Sequence, residues 1–271
     1  MLHLRQTILN DYLTCPYKCY KAWGEVGVAG KYDLEESPGN IYAKIGVVFH
    51  KVMEEAGNTI INGKRNEVTY NSLIKQMRFF FENYIPEEMF EDETTKDEWW
   101  ESLSEQIYYA YNTTLQSKNI LMCEYNFTIE DMFEGLPPVT GTIDRVDGNL
   151  ENKDINLIDY KTGKVYTKKQ LQNNIQACLY SLAFYRNFGV MPKTFTFIFT
   201  KHKKVKTIQI TKDFIERVGA EIIRIVQEMN NNHFEPTCNN KFFCSHFCEF
   251  YEECPKYKRS KNKGWNAVKE K

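Results

Sequence analysis

The sequence predicts an α/β fold in which helices flank a central mixed β-sheet. Apolar residues in the first part of the chain recur at helical spacing, and the middle part switches to the alternation typical of strands. A helical segment then separates two groups of strands, and a last helix follows them. Because no Gly-, Ser- or Pro-rich linker divides the chain, we expect a single domain over residues 1–271.

Three segments predict helices ahead of the strands. AKIGVVFHKVMEEA (43–56) has amphipathic spacing, and the GNTIING that follows it predicts a break. Residues 70–85 and 97–118 are rich in aromatic side chains and predict two further helices. We therefore expect a helical insertion over about 57–125, which includes the acidic stretch 87–105.

Short alternating segments bounded by turns predict the strands. The first three are EYNFTIE, VTGTIDRVDG and INLIDYKTG, and the turn-rich GNLENKD joins the second to the third. A helix over KQLQNNIQACLYSLAFYRNF follows and ends at Gly189. TFTFIFTKHKKVKTIQI predicts a second hairpin, in which Phe195, Phe197 and Phe199 share one face.

Composition limits the classes of function. Hydrophobic residues make up 42% and charged residues 26%, and the net charge of −1 gives no overall basic signal for nucleic acid. Basic residues do cluster in TKHKKVK (200–206) and in the tail 256–271. Each cluster alone is typical of a solvated surface, while two together are compatible with a groove that follows a phosphate backbone. No apolar run reaches membrane-spanning length and the N-terminus lacks signal-peptide features, so we expect a cytoplasmic (intracellular) protein.

The strand end LIDYKTGK (157–164) carries a potential reaction centre. Residues i and i+2 of a strand point to one face, so Asp159 and Lys161 lie together where an apolar strand ends. A hairpin would bring Asp144 of the preceding strand beside Asp159. Two neighbouring carboxylates repel unless a cation lies between them, and Mg²⁺ prefers such oxygen ligands. Lys161 could then orient or deprotonate a water and stabilise charge at phosphorus.

A plainer interpretation stays open for these residues alone, namely an incidental Asp–Lys pair on a surface hairpin. Two helical pairs add to the pattern. His50 and Glu54 are four residues apart on one helix face, and an imidazole can bind a metal. Gln176 and Tyr180 have the same spacing on the helix after the hairpin. Taken singly, His50 is more typical of a packed core residue, and the second pair of a helix surface.

In order along the chain, these residues resemble the motifs of the RecB-like nucleases of the PD-(D/E)XK superfamily. The matching residues are Gly46, His50 and Glu54 for G-x-x-x-H-x-x-x-E, Asp144 for G-x-I-D, Asp159 and Lys161 for D-x-K, and Gln176 and Tyr180 for Q-x-x-x-Y. All four motifs occur in the family's order and at plausible separations. The resemblance covers nearly the whole chain, from Cys15 to Pro255.

The resemblance implies a restriction-endonuclease-like core that hydrolyses DNA phosphodiester bonds with Mg or Mn. The implied metal ligands are His50, Asp144, Asp159 and the backbone carbonyl of Tyr160. The implied catalytic residues are Lys161, Asp159 and Asp144, and the implied substrate-positioning residues are Gln176, Tyr180 and Glu54. Single-stranded or frayed DNA ends are the implied substrate, since the helical insertion of such nucleases often shapes a passage for one strand.

The C-terminal part of the chain is rich in cysteine. A helix from about Asp213 to Met229 leads into this region, which spans about 234–256. Eight cysteines in an intracellular chain favour a metal or a cluster over disulfides. By spacing alone, four of them could form a local zinc site: Cys238, Cys244, Cys248 and Cys254.

The family resemblance favours an iron–sulfur cluster over zinc. Some RecB-like nucleases, among them CRISPR-associated exonucleases and the AddB subunit, have one Cys-Pro before the core and three cysteines after it. The implied ligands of a [4Fe–4S] cluster joining the N- and C-terminal regions are Cys15, Cys244, Cys248 and Cys254. The spacing here is C-x3-C-x5-C where the family usually has C-x2-C-x5-C, which leaves Cys238 or Cys19 as an alternative ligand.

The sequence thus predicts an iron–sulfur-stapled, metal-dependent DNA exonuclease. The alternative is a zinc- or cluster-stapled nucleic-acid-binding subunit with a vestigial nuclease site. The resemblance implies a role in DNA repair, recombination, CRISPR adaptation or phage DNA metabolism. No helicase P-loop occurs, so unwinding would need a partner, and a helicase or an integrase is the class of partner protein expected.

Overall fold

The structure is a computed structural model that describes residues 3–24, 41–115, 119–134, 136–237 and 241–257. Its strands are β1 (Ile120–Ile129), β2 (Val139–Asn149), β3 (Asp154–Lys161), β4 (Thr194–Phe199) and β5 (Lys204–Gln209). Its α-helices are α1 (Gln6–Thr14), α2 (Pro16–Cys19), α3 (Ile41–Ile61), α4 (Tyr70–Tyr84), α5 (Glu93–Ala110), α6 (Lys168–Gln172), α7 (Ile175–Phe188), α8 (Lys212–Asn230) and α9 (Lys241–Phe247). Among these described residues, no helix is both long and apolar enough to span a bilayer.

The five strands form one sheet in the order β1-β2-β3-β4-β5. β3 and β4 pair in parallel, with α7 as the crossover between them, and the other neighbours pair antiparallel. Helices cover both faces, because the sheet's two sets of side chains are both apolar. The predicted α/β fold with a mixed sheet is therefore confirmed.

Two hydrophobic clusters fill the space between sheet and helices. On one face Phe195, Phe197 and Phe199 are fully buried against α7 and α8, which confirms that these three rings share a face. On the other face α3, α4 and α5 form the second cluster, against Ile158 and Ile198. The alternation of apolar residues in β3 and β4 thus supplies both cores.

Helix α3 ends within GNTIING (57–63), as predicted, but not at the first glycine of this stretch. It continues through Gly57 to Ile61. A Cβ atom at Gly57 would lie 2.1 Å from Cys123 Sγ, so the glycine allows the helix to approach β1 closely. Packing against the sheet has overridden the weak helical propensity of glycine here.

The single helix predicted after β3 is two helices. α6 ends at Gln172, and the side chain of Asn174 caps α7 by accepting a hydrogen bond from the backbone N–H of Ala177. α7 ends at Gly189, whose φ of 69° is the left-handed conformation predicted for this position. The Asn174 cap fixes the start of the helix that carries Gln176 and Tyr180.

The N-terminal segment is joined to the sheet ahead of α1. The Leu4 N–H donates to the Pro138 carbonyl at 2.7 Å, and the Thr140 N–H donates to the Leu4 carbonyl at 2.9 Å. Leu4 is thereby bridged in parallel to Val139 at the start of β2. This contact holds α1 beside the β1–β2 hairpin.

Candidate active site

The site forms where β2 and β3 separate. The two strands pair up to Arg145 and Ile158, while β3 continues to pair with β4 as far as Lys161. Beyond the last β2–β3 pair, the Tyr160 N–H donates to Asp144 Oδ2 at 2.8 Å instead of to a backbone carbonyl of β2. A side-chain acceptor thus replaces a ladder bond, and Asp144 and Asp159 come to lie in one opening.

His50 and Glu124 complete a group of potential metal ligands around Asp144. His50 Nδ1 lies 3.5 Å from Asp144 Oδ2 and 3.6 Å from Glu124 Oε1. One ligand atom from each of the three residues lies within 4.8 Å of the others. The long helix α3 therefore brings His50 to the sheet. His50 lies near Asp144, as the sequence motif predicted.

Glu124 is the residue that the sequence reasoning missed. The pairs Cys123–Arg145 and Tyr125–Ile143 place Glu124 opposite Asp144 across the β1–β2 ladder. Its φ of 46° is unusual for a non-glycine residue, so the surrounding structure fixes this conformation. Glu124 could have been found as the residue opposite Asp144 in a β1–β2 hairpin, but only if the register of that hairpin had been known.

Glu54 lies outside this group. Glu54 lies one helical turn after His50 on α3, and its carboxylate is 2.9 Å from Lys51 Nζ. The predicted positioning role of Glu54 stays a prediction, and its contact here is with a lysine of its own helix.

Asp159, Lys161 and Gln176 form a closed ring of contacts. Lys161 Nζ lies 2.7 Å from Asp159 Oδ2 and donates to Gln176 Oε1 at 3.1 Å. Gln176 Nε2 in turn donates to Asp159 Oδ1. Asp159 and Gln176 are almost fully buried, and Tyr180 lies one helical turn after Gln176 on α7. The motif residues on β3 and α7 are therefore together.

The charges in the opening shift each other's pKa values. Burial opposes the protonation of His50, but Asp144 and Glu124 outweigh it and raise the pKa of His50 to about 9. Burial raises the pKa of Asp144 to about 7, and repulsion by Asp159 adds to this, although His50 acts in the opposite direction. Burial opposes the charge of Lys161, yet the carboxylate of Asp159 raises the pKa of Lys161 above its ordinary value. These shifts mark an opening with excess negative charge.

The donor atoms fit a hard divalent cation. Two carboxylates and one imidazole converge, from Glu124, Asp144 and His50, and the carboxylate of Asp159 is close enough to shift the pKa values of Asp144 and His50. Asp159 Oδ2 is buried and has no hydrogen-bond donor at a favourable angle, although the ammonium of Lys161 is close. A cation would compensate the repulsion between Asp144 and Asp159 that the raised pKa of Asp144 reports. The backbone carbonyl of Tyr160 stays a predicted ligand.

The two ends of the described chain contact each other. The hydroxyl of Tyr17 donates to the Glu253 carbonyl at 3.4 Å, and Lys21 Nζ lies 3.3 Å from the carboxylate of Glu253. Burial raises the pKa of Cys248, and nearby Cys15 and Cys254 raise it further. Three of the four predicted cluster ligands are thus in one neighbourhood.

The other cysteines differ in state. Cys244 is disulfide-bonded, whereas Cys15, Cys248 and Cys254 are free thiols. Cys19 is buried, and its thiol faces the Ile8 carbonyl at 3.5 Å. The remaining alternative ligand, Cys238, and most of the basic tail lie outside the described residues.

The fold and the site together define a metal-dependent nuclease. The family model of the PD-(D/E)XK nuclease superfamily matches residues 3–255. The chain belongs to this superfamily, whose nucleases act on DNA with divalent metal ions, and Asp159-Tyr160-Lys161 fits the (D/E)XK pattern in its name.

A solved structure gives a weaker comparison. The crystal structure of a "Putative exonuclease" from Eubacterium rectale is 11% identical, with a TM-score of 0.47, and the match covers 93% of this chain and 87% of that one. A search of curated protein sequences gave no match.

Proposed function

We propose that this protein is an Mg- or Mn-dependent DNA exonuclease that degrades single-stranded or frayed ends. The observation that carries the proposal is the contact of Lys161 with Asp159 beside the His50/Glu124/Asp144 group. A surface ion pair would need none of these neighbours. Here the lysine adjoins a set of metal ligands at the end of a core strand, as phosphodiester hydrolysis requires.

His50, Glu124, Asp144 and Asp159 would hold the cation. When bound, it supplies Lewis acidity toward a phosphate oxygen and lowers the pKa of a bound water. Lys161 keeps its proton at neutral pH, because Asp159 raises the pKa of its ammonium. Lys161 therefore acts as a cation and hydrogen-bond donor, which orients the attacking water and stabilises the charge that develops on the phosphate.

Gln176 positions the other two members of the ring. Its amide accepts from Lys161 and donates to Asp159, which fixes both side chains at once. Tyr180 is buried one helical turn further along α7 and extends this support. Loss of the Gln176 amide would leave the charges in place but loosen their geometry.

Basic residues of the β4–β5 hairpin suit the approach of a DNA strand. The Thr200 N–H donates to the Lys161 carbonyl at 3.0 Å, so this hairpin turn adjoins the site. Phe199 of β4 pairs with Lys161 of β3 on one side and with Lys204 of β5 on the other. Lys204 is therefore two strands from Lys161, roughly 10 Å across the sheet. The exposed ammonium groups of Lys204 and Lys206 are placed to contact phosphates next to the cleaved one.

The helical segment between α3 and β1 adjoins the same turn. Thr200 Oγ1 donates to Gln106 Oε1 at 2.7 Å, and Lys203 Nζ lies 3.0 Å from Glu105. α5 thus bounds the approach to the site on this side, and the acidic residue Glu105 is compensated by Lys203. This arrangement supports a passage for one strand, the basis of the proposed preference for ends.

We also propose that Cys15, Cys244, Cys248 and Cys254 bind a [4Fe–4S] cluster, with zinc as the less favoured occupant. The contacts of residues 15–21 with Glu253 and Cys248 support a staple between the two ends of the chain. Cys244 would have to leave its disulfide to serve as a thiolate ligand. A cluster here has a structural role, because it would join the two ends of the chain.

Protein purified without oxygen tests the cluster. We expect absorbance at about 400 nm and bound iron. Both should be lost in Cys254→Ser and kept in the control Cys178→Ala, because the thiol of Cys178 is buried in the core. Colourless protein with stoichiometric zinc would refute the cluster.

Linear and circular single strands test the exonuclease proposal. With Mg²⁺ or Mn²⁺, we expect the linear strand to be degraded and a circular strand of the same sequence to resist. Cleavage of both would show an endonuclease. Tight binding of the strand without cleavage under any metal would favour the alternative, a nucleic-acid-binding subunit with a vestigial site. Duplex degradation that depends on an added helicase would identify the expected class of partner.

A further inference from the structure

We propose that the groove between α1 and the β1–β2 hairpin binds the nucleotides of the substrate strand that adjoin the cleaved phosphate. The proposal rests on the proposed nuclease function and adds a strand-binding subsite to it. The groove has a volume of about 910 Å³, at the upper end of ligand clefts. Residues that line it include Arg5, Gln6, Trp23, Asn126, Thr142 and Tyr166.

The groove is continuous with the active site. Tyr180 lines the groove and lies one helical turn after Gln176 on α7, and Gln176 is hydrogen-bonded to Lys161 and Asp159. Tyr166, on the same wall, packs edge-on against Phe197 and Phe199 at 5.2 Å each, and Lys161 Nζ lies 5.9 Å from the Phe197 ring. A strand whose phosphate lies at Lys161 can therefore extend directly into the groove.

The chemistry of the groove suits bases more than phosphates. Asn126 and Thr142 lie on adjacent strands, joined by a 2.6 Å hydrogen bond, and present amide and hydroxyl groups from the floor. Trp23 and Tyr166 are partly exposed aromatic rings, and the indole N–H of Trp23 donates to Asp11 at 2.9 Å, which fixes its plane. Unpaired bases are recognised by this combination of stacking surfaces and neutral polar groups.

Charge in the groove does not oppose a nucleic acid. Asp11 is the acidic residue of the lining, and Lys18 lies 3.5 Å from its carboxylate. Arg5 is exposed at the rim and forms no ion pair with a carboxylate within the part of the chain that the structure describes. One phosphate beyond the bases can therefore be bound by Arg5, while the metal ligands and Lys161 bind the cleaved one.

Filling the groove tests the proposal. Thr128 is exposed on β1 and lines the groove, so Thr128→Trp adds a ring there without disturbing the core. The control is Glu130→Trp, which adds the same ring at an exposed position outside the lining. For each variant we would measure the Kd of a fluorescein-labelled 12-nucleotide single strand without metal, and the kcat and KM for its hydrolysis with Mg²⁺. Hydrolysis of bis(4-nitrophenyl) phosphate, which is too small to extend from the site into the groove, reports on the catalytic residues.

We expect Thr128→Trp to raise the Kd and the KM for the strand by roughly tenfold, the loss of about one stacked base, with a much smaller effect on the small diester. Glu130→Trp should leave all three values unchanged. If Thr128→Trp binds and degrades the strand as the unmodified protein does, the groove is not a subsite. If the unmodified protein hydrolyses neither substrate, the nuclease function fails, while the Kd values still decide whether the groove binds the strand.

A second variant covers the case in which Thr128→Trp fails to fold. Arg5→Gln alters an exposed side chain, and we expect the dependence of log Kd on log salt concentration to fall by about 0.7 for one lost phosphate contact. An unchanged salt dependence would remove Arg5 from the subsite and contradict the proposed path.

Discussion

Replacing Asp147 by alanine removes half of a buried ion pair on β2, close to the proposed metal ligand Asp144. Arg145 and Asp147 are 1% and 4% exposed. The guanidinium donates twice to the carboxylate, from Nε to Oδ1 and from Nη2 to Oδ2, each at 2.6 Å. A third donor, Nη1, reaches the hydroxyl of Tyr160 at 2.8 Å. In Asp147→Ala the guanidinium stays in the interior and loses both carboxylate acceptors.

The cost of this change follows from the burial of the charge. Burial opposes the charge of Arg145, but Tyr160 and Asp147 raise the pKa of its guanidinium, so it stays protonated throughout the accessible pH range. Removing one partner of a buried pair costs about 3–5 kcal/mol. The total free energy of unfolding of a domain is about 5–15 kcal/mol, so we expect a large part of the stability to be lost.

Urea unfolding followed by circular dichroism measures this loss. The control is Asp154→Ala, because Asp154 is also in an ion pair, with Lys193 at 3.1 Å, but both of these side chains are more than half exposed. We expect this variant to lose less than about 1 kcal/mol. A loss as small as this in Asp147→Ala would refute the reasoning.

Three further predictions concern the site and its supports. The thermal stability of the metal-free protein should fall as the pH rises from 4 to 9. In the folded protein Asp144 (pKa about 7) and His50 (pKa about 9) hold protons that the unfolded chain releases near pH 3.8 and 6.5. Added Mn²⁺ should stabilise the protein more as the pH rises, because its ligands are then deprotonated. Glu124→Gln should weaken Mn²⁺ binding by roughly tenfold or more in calorimetric titration, because it removes a charged oxygen from the ligand group. Gly57→Ala should lower the free energy of unfolding by about 1–3 kcal/mol, since its Cβ would lie 2.1 Å from Cys123 Sγ, and Cys123→Ala should restore most of that loss.

Each of these has a clear contrary result. A melting temperature of the metal-free protein that rises from pH 6 to 9 would contradict the raised pKa values of His50 and Asp144. For metal binding the matched control is Glu54→Gln, since Glu54 pairs with Lys51 outside the ligand group; equal effects of the two substitutions would remove Glu124 from the site. If Cys123→Ala failed to rescue Gly57→Ala, the helix–strand contact would not be the cause of the loss.

Local patterns were sufficient to predict the mixed sheet and most helices, because strands such as β4 consist of apolar or alternating residues and helices such as α8 have an apolar face. The failures arose where tertiary contacts decide. α3 continues through Gly57 because Cys123 packs against it, and the helix after β3 divides because Asn174 caps a new start. Neither contact can be deduced from periodicity.

The candidate site could be predicted as far as motif residues define it. His50, Asp144 and Asp159 lie together with Lys161, as their order in the chain predicted. Glu124 could not be found in this way, because its position depends on the register that places it opposite Asp144. Site residues that are positioned by strand pairing, and not by a sequence motif, can be identified only from the structure.

The most direct test of the nuclease site is the rate at which saturating protein cleaves an end-labelled single strand in one turnover with Mg²⁺. Lys161→Ala should lower this rate by roughly 100-fold or more, while the Kd for the strand stays within a few-fold. Lys164→Ala, a change at an exposed lysine of the following loop, is the matched control and should cleave at the unmodified rate. Equal cleavage rates for Lys161→Ala and the unmodified protein, or no cleavage by either, would contradict the account.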